Sequence, residues 1–280
     1  MRQAAEAQAA GQGLAWKAAV GILIGVAGGT FGGLAGLGGG VLMVPMMTAF
    51  LGLTQHEAHG SSMLAVLFTA VSGGLGYARH GGVDWVAAVA VAFSAVVMAG
   101  YGARLSHRVP ARRLRRYFGY FLVAMALIVV VSRYLMTHAA GGALPATPVV
   151  ALGGILTGLV SGFLAGMMGV GGGAIVVPAL VVGLGLPQHV AQGTSLVQMI
   201  PTAISGTFTH HRLGHTRWDV APWVGAGAIA GGWLGAFVAA LLPTDTLRWV
   251  FAAFIFLMGL NYVRTSAPVR PGHPSGTGGA

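Results

Sequence analysis

Residues 36–45 read GLGGGVLMVP, and residues 169–178 read GVGGGAIVVP. Both stretches carry a glycine cluster, an apolar run and a proline, 133 residues apart counted from Gly38 to Gly171. Held at that offset, the match continues without a gap. Pro45 falls on Pro178, Gln55 and His56 fall on Gln188 and His189, and Ser62 falls on Ser195. Arg79, Gly81 and Trp85 fall on Arg212, Gly214 and Trp218. Biased composition inflates matches among glycine and alanine, but not proline, histidine, arginine and tryptophan in register. The chain is one unit used twice.

Of the 280 residues, 55% are hydrophobic and only 7% are charged. A soluble domain carries roughly 25% charged residues, so no water-facing surface can be built here. Long apolar runs, such as 85–101 and 117–131, suit helices that cross a bilayer. Strand-like alternation is missing, which argues against a β-barrel. The fold class is an all-α polytopic membrane protein. The net charge of +10 does not point to nucleic acid, because six arginines crowd into residues 104–116 between two apolar runs. That is the look of a cytoplasmic loop. There is no cysteine, so disulfides and thiolate chemistry are excluded.

Each copy holds five apolar segments, near 15–36, 39–53, 60–78, 84–105 and 115–136, then 147–169, 172–186, 193–210, 218–242 and 246–263. Five is odd, so tandem copies enter the membrane from opposite sides. Loop charges agree. Loop 104–116 is arginine-rich while its counterpart is nearly neutral, and loop 210–219 is basic while 78–84 is balanced. The expectation is two inverted-topology repeats with both termini cytoplasmic. It divides the chain into an N-terminal segment 1–17, repeat 1 at 18–137, a linker 138–146, repeat 2 at 147–264 and a disordered tail 265–280. The second segment of each copy, at about 15 residues, covers roughly 22 Å and falls short of a ~30 Å hydrocarbon core. It is either part of a re-entrant hairpin turning at the glycines or a short bent helix.

Glycines recur every four residues at 21, 25, 29 and 33, again at 154, 158, 162 and 166, and at 227, 231 and 235. Such stripes let helix backbones approach closely. The triplets Gly38-Gly39-Gly40 and Gly171-Gly172-Gly173 break that spacing and stand where a helix begins. Unpaired amides and the helix dipole there make an anion site without side chains, although a tight turn needing positive φ explains them equally well. AHGSSM at 58–63 and AQGTSL at 191–196 place Ser61, Ser62, Thr194 and Ser195 at another helix start, as caps or as donors to an anion. Gln198 lies inside an apolar segment and needs a hydrogen-bond partner, either on the pore or on a neighbouring helix.

The acids Glu6, Glu57, Asp84, Asp219 and Asp245 fall near segment ends, which disfavours a cation substrate. No metal or cofactor is called for. His56 and His189 recur in the repeat and either couple anion movement to protons or stand as loop residues. Arg79 and Arg212 either attract anions at a vestibule or anchor helix ends at headgroups.

The glycine-rich first helix, the doubled GLGGGVLMVP/GVGGGAIVVP element and the AxGxS element that follows resemble the TauE/SafE family of sulfite exporters, over residues 18–264. The resemblance implies a bacterial inner-membrane permease, not an enzyme, for sulfite, sulfonates or related small anions. The function expected is secondary transport by alternating access, with the anion held by Gly38–Gly40, Gly171–Gly173, Ser61, Ser62, Thr194, Ser195 and Gln198. Its partners are then the small anion and the lipid bilayer. Two alternatives stand beside it: a passive anion channel, and an intramembrane hydrolase using the serine of GTS.

Overall fold

The computed structural model describes residues 2–106, 111–136, 146–168 and 172–265, and every regular element among them is helical. In chain order these are α1 (Arg2–Ala35), α2 (Gly40–Phe50), α3 (Gln55–Arg79), α4 (Trp85–Ser106) and α5 (Ala111–Met136). Then come α6 (Thr147–Met168), α7 (Gly173–Pro178) running into a π-helical turn (Ala179–Gly183), α8 (Gln188–Arg212), α9 (Ala221–Leu241) and α10 (Thr244–Thr265). Among the described residues, five stretches are long and apolar enough to cross a membrane: Gly13–Ala35, His56–Arg79, Thr147–Ala165, Ala221–Leu241 and Thr244–Arg264. Helices suit that setting because they satisfy their own backbone groups. Large apolar side chains such as Leu23, Val89, Phe93, Leu152 and Leu257 face outward, as lipid contact allows. α1 begins well before the apolar run that marks its core, because the leading residues are rich in alanine, the strongest helix former. The linker and the C-terminal tail lie almost wholly outside the described residues.

Element bounds repeat at the same offset. α2 corresponds residue for residue to Gly173–Gly183, and α3 to α8. Packing is reciprocal too: α1 lies along α9, while its counterpart α6 lies along α4, the counterpart of α9. α5 packs on α10 and α3 on α8, each on its own equivalent. The repeats therefore interleave, each lending its first helix to the other's fourth.

The glycine stripes form these seams. A Cβ on Gly29 would lie 2.9 Å from the Ala228 carbonyl, and one on Gly231 would meet Val26 and Thr30 backbone. On the other side, Gly158 and Gly162 sit against Val91, Ser94 and Ala95 of α4. Backbone-to-backbone contact over several turns gains dispersion without a hydrophobic driving force, which lipid does not supply. The largest buried apolar cluster joins α7, α5 and α10 through Val176, Val177, Leu180, Leu122, Phe251 and Ile255.

Candidate functional site

α1 stops at a Schellman turn. Gly36 takes φ +70°, and the Leu37 amide donates to the Gly32 carbonyl at 2.9 Å. Gly38 (φ +73°) and Gly39 (φ +81°) then reverse the chain into α2. A Cβ on Gly32 would strike Gly39, and one on Gly39 would strike the Gly28 carbonyl, so α2 doubles back along α1. Positive φ and close approach together require glycine there. In the second copy Gly172 precedes α7 with φ −63°, and Gly171 lies outside the described residues. The two turns are neighbours. A Cβ on Gly173 would lie 2.7 Å from the Gly36 carbonyl and 3.1 Å from the Leu37 Cα. Met199 sits between them: its Sδ would be 3.0 Å from a Cβ on Gly38, and its Cε abuts Gly173.

The hydroxyls of AHGSSM and AQGTSL have backbone partners. Thr194 Oγ1 accepts from the Asp84 amide at 2.9 Å, and Ser61 Oγ accepts from the Arg217 amide at 3.0 Å. Ser61 and Thr194 are equivalent at the repeat offset, and so are Asp84 and Arg217. The preceding glycines complete the pattern: a Cβ on Gly193 would strike the Gly82 carbonyl, and one on Gly60 the His215 carbonyl. Each motif is thus a latch that grips the loop between the third and fourth helices of the other repeat. Ser195 Oγ donates to the Gly36 carbonyl at 2.7 Å, and Ser62 Oγ to the His59 carbonyl at 2.9 Å. Nearby, the Tyr77 hydroxyl lies 3.0 Å from Gln192 Oε1. The signal for the latches was present in the sequence: loop positions 82–84 and 215–217 share the offset of the motifs they meet.

A cavity of about 240 Å³ opens beside α8. Gln198, Thr202, Ser205 and Thr209, spaced on one helix face, line it with His210. Met63 and Val66 of α3, Ala95, Val96 and Ala99 of α4, Gly162 of α6, Gly172 and Met199 close the rest. Gln198 is buried, and its Nε2 has no hydrogen-bond partner among the described residues. Of the residues singled out in the sequence, Gly172 and Gln198 reach this cavity. Gly38 is covered by Val66 and Met199, Gly39 by Gly28 and Met43 and Gly40 by Val66, and Ser61, Ser62, Thr194 and Ser195 are turned to backbone. Ser205, Thr209 and His210 were not among the sequence-derived site residues, although the helical spacing of the first two from Gln198 marks them.

The remaining candidates lie elsewhere. His189 Nε2 is 2.9 Å from the Ala239 carbonyl. His56 stacks on His215 at 5.3 Å between centroids. Arg79 lies over the Trp233 ring at 4.8 Å and Arg212 over Phe208 at 4.2 Å. Lys17, Asp219, Arg217 and Glu57 form an ion network that ties α1, the 213–220 loop and α3 together. Hydrogen bonds from Arg217, reinforced by Lys17 and opposed by burial, hold the Asp219 carboxyl well below the usual carboxylate range. Asp84 Oδ1 accepts from the Ala87 amide and caps α4. Among the described residues, no acid lines the cavity.

Comparison with known proteins agrees with this architecture. Residues 20–262 match the family described as Sulfite exporter TauE/SafE. The probable membrane transporter protein YunE of Bacillus subtilis (strain 168) is 28% identical over 261 residues, covering 86% of this chain and 96% of the relative. A probable membrane transporter protein of Xylella fastidiosa (strain 9a5c) is 31% identical over 236 residues, covering 82% of this chain and 89% of the relative. One from Haemophilus influenzae is 26% identical over 264 residues, covering 86% and 96%. No solved structure matches the chain. With its apolar spanning helices and a family match along nearly its whole length, the chain is a multi-pass membrane protein that belongs to the sulfite exporter TauE/SafE family.

Proposed function

We propose that the chain carries a small sulfur-containing oxyanion or organosulfonate across the bacterial inner membrane by alternating access, and that the anion binds in the cavity beside α8. The observation that carries this reading is the buried Nε2 of Gln198, without a partner among the described residues, in a cavity that none of their acids lines. A buried donor left unmade costs about 1–3 kcal/mol, and an anion relieves that cost. Gly172 brings the start of α7 to the same wall, where the first amides of a helix have no intrahelical acceptor. Ser205 adds a hydroxyl, while those of Thr202 and Thr209 donate to the Met199 and Ser205 carbonyls. The volume of about 240 Å³ is several times the roughly 30 Å³ of one water, enough for a polyatomic anion. Met199, unbranched and flexible, stands between the cavity and the turn at Gly38, where it can swing aside and widen the site.

Alternating access draws support from an asymmetry between the repeats. The face of α3 equivalent to the cavity face of α8 carries Thr69 and Ser72, buried against Gly232 of α9. α3 packs closely on α9, while its counterpart α8 packs less closely on α4. Repeats of inverted topology that exchange these two arrangements expose the site to opposite sides in turn. With the arginine-rich 104–116 loop inside, both termini are cytoplasmic. The test is uptake of radiolabelled sulfite into proteoliposomes. Gln198→Leu is expected to lower uptake at least tenfold at unchanged protein stability; undiminished uptake would remove the site from the reading.

A further inference from the structure

One end of the cavity carries an imidazole cluster that anion binding by donors does not use. His210, in the last turn of α8, lines the cavity. Its ring centroid lies 6.0 Å from that of His215, whose ring stacks on His56 of α3 at 5.3 Å. The Nδ1 atoms of His210 and His215 are buried without a hydrogen-bond partner among the described residues.

The charges around the stack are already matched. Glu57 of α3 and Asp219 of the loop both bind Arg217, and Asp219 also binds Lys17 of α1. On α8 itself, His211 accepts from Trp218 Nε1 and Arg212 covers Phe208. His59 lies one turn along α3 from His56. Among the described residues, the α4 wall adds Ala95, Val96 and Ala99. The repeat supplies an internal control. At the offset, His56, His210 and His215 become His189, Tyr77 and Gly82. His189 is tied to the Ala239 carbonyl and Tyr77 to Gln192, so the equivalent place holds no stack.

We propose that the His56–His215–His210 stack is a proton-binding site, and that it takes up one proton with each anion that enters the cavity. The coupling rests on the anion-carrier reading; the proton site does not. Imidazole changes charge near neutral pH, and a second imidazolium within about 6 Å is opposed by the first, which sets the count at one. A positive charge at the cavity's end draws the anion in, and by linkage the bound anion raises the proton affinity of the stack by the same factor.

The chain has no cysteine, so Thr209→Cys places a lone thiol on the cavity wall of the full-length protein in nanodiscs. Its reaction rate is measured with an anionic (sulfonatoethyl) and a cationic (trimethylammonioethyl) methanethiosulfonate, and their ratio cancels the ionisation of the thiol itself. From about pH 8 to about pH 5 the anionic-to-cationic ratio is expected to rise about fivefold or more in one transition. Adding His210→Gln with His215→Gln should flatten it, with His210→Asn alone serving if the double variant misfolds. A ratio that does not change with pH, or one that still titrates without the histidines, overturns the proton site. Uptake of methanesulfonate, whose charge is fixed over this range, then tests coupling. One proton per anion supports it, and uptake indifferent to a proton gradient overturns it. A titrating ratio with no anion uptake overturns the carrier reading and the coupling while the proton site stands.

Discussion

Replacing Thr194 by valine keeps the side-chain volume and removes the acceptor of the Asp84 amide. Thr194 is fully buried, so no water is at hand to replace it. An amide that loses its partner in such a place costs about 1–3 kcal/mol, and the isosteric change adds no cavity. The loss should be local, because the hydroxyl grips one loop. Spread over the opening equilibrium of that loop, it corresponds to roughly 5- to 150-fold faster hydrogen exchange. Hydrogen exchange resolved by mass spectrometry is the assay. Thr194→Val is expected to deprotect the segment holding Asp84 and to leave the segment holding Arg217 unchanged. Ser61→Ala should do the reverse. The double variant should show the sum to within about 0.5 kcal/mol, since the two hydrogen bonds share no partner. If Asp84 kept its protection in Thr194→Val while sulfite binding disappeared, the hydroxyl would be a ligand to the substrate and the latch argument would fail.

Gly193→Ala and Gly60→Ala push a Cβ into the carbonyls of Gly82 and His215, and each should cost about 1–3 kcal/mol in thermal unfolding in detergent. The Asp219 carboxyl is held low in the folded chain, so its contribution is present above about pH 4 and is lost as pH falls through the folded value. The difference in melting temperature between Asp219→Asn and the unaltered chain should therefore be largest near neutral pH and close in strong acid. Ser72→Cys, buried against α9 here, should react with a water-soluble maleimide only when the α3–α9 seam opens. Sulfite that shifts the carrier between states should change that rate in the opposite direction to the rate at Ser205→Cys.

Much of the helical layout was legible because it repeats. The single offset relates α3 to α8 and α2 to Gly173–Gly183, although α3 and α8 begin five residues before the expected 60 and 193 and α2 stops short of 53, and spacing by four marked the glycine seams. What the offset could not give was the partner across the seam. Ser61 and Thr194 look like donors aimed at a ligand when each repeat is considered alone. They become acceptors only when the loop of the other repeat is brought to them, a contact spanning 156 residues in one case and 110 in the other. The π-helical turn after Pro178 was equally hidden, since Pro45 at the equivalent place sits inside the regular helix α2. The cavity was invisible for a different reason: it marks the place where the repeats differ, and a duplicated motif reports only where they agree.

That difference has a sequence basis. α8 carries Thr194 in the latch, Ser195 on the Gly36 carbonyl, Gln198 in the cavity and Met199 between the glycine turns, all within two helical turns. The equivalents on α3 are Ser61, Ser62, Ala65 and Val66. The hydroxyls that set loop and turn are kept in both copies, whereas the carboxamide and the flexible thioether occur in one. A carrier that must hold a single anion between two halves has no use for two copies of its polar anchor, because the second would be a buried donor without a partner. The latches need both copies, since each grips a different loop. Duplicated hydroxyls and an unduplicated Gln198 are the division expected of the proposed carrier, with the latches doubled and the anion site shared.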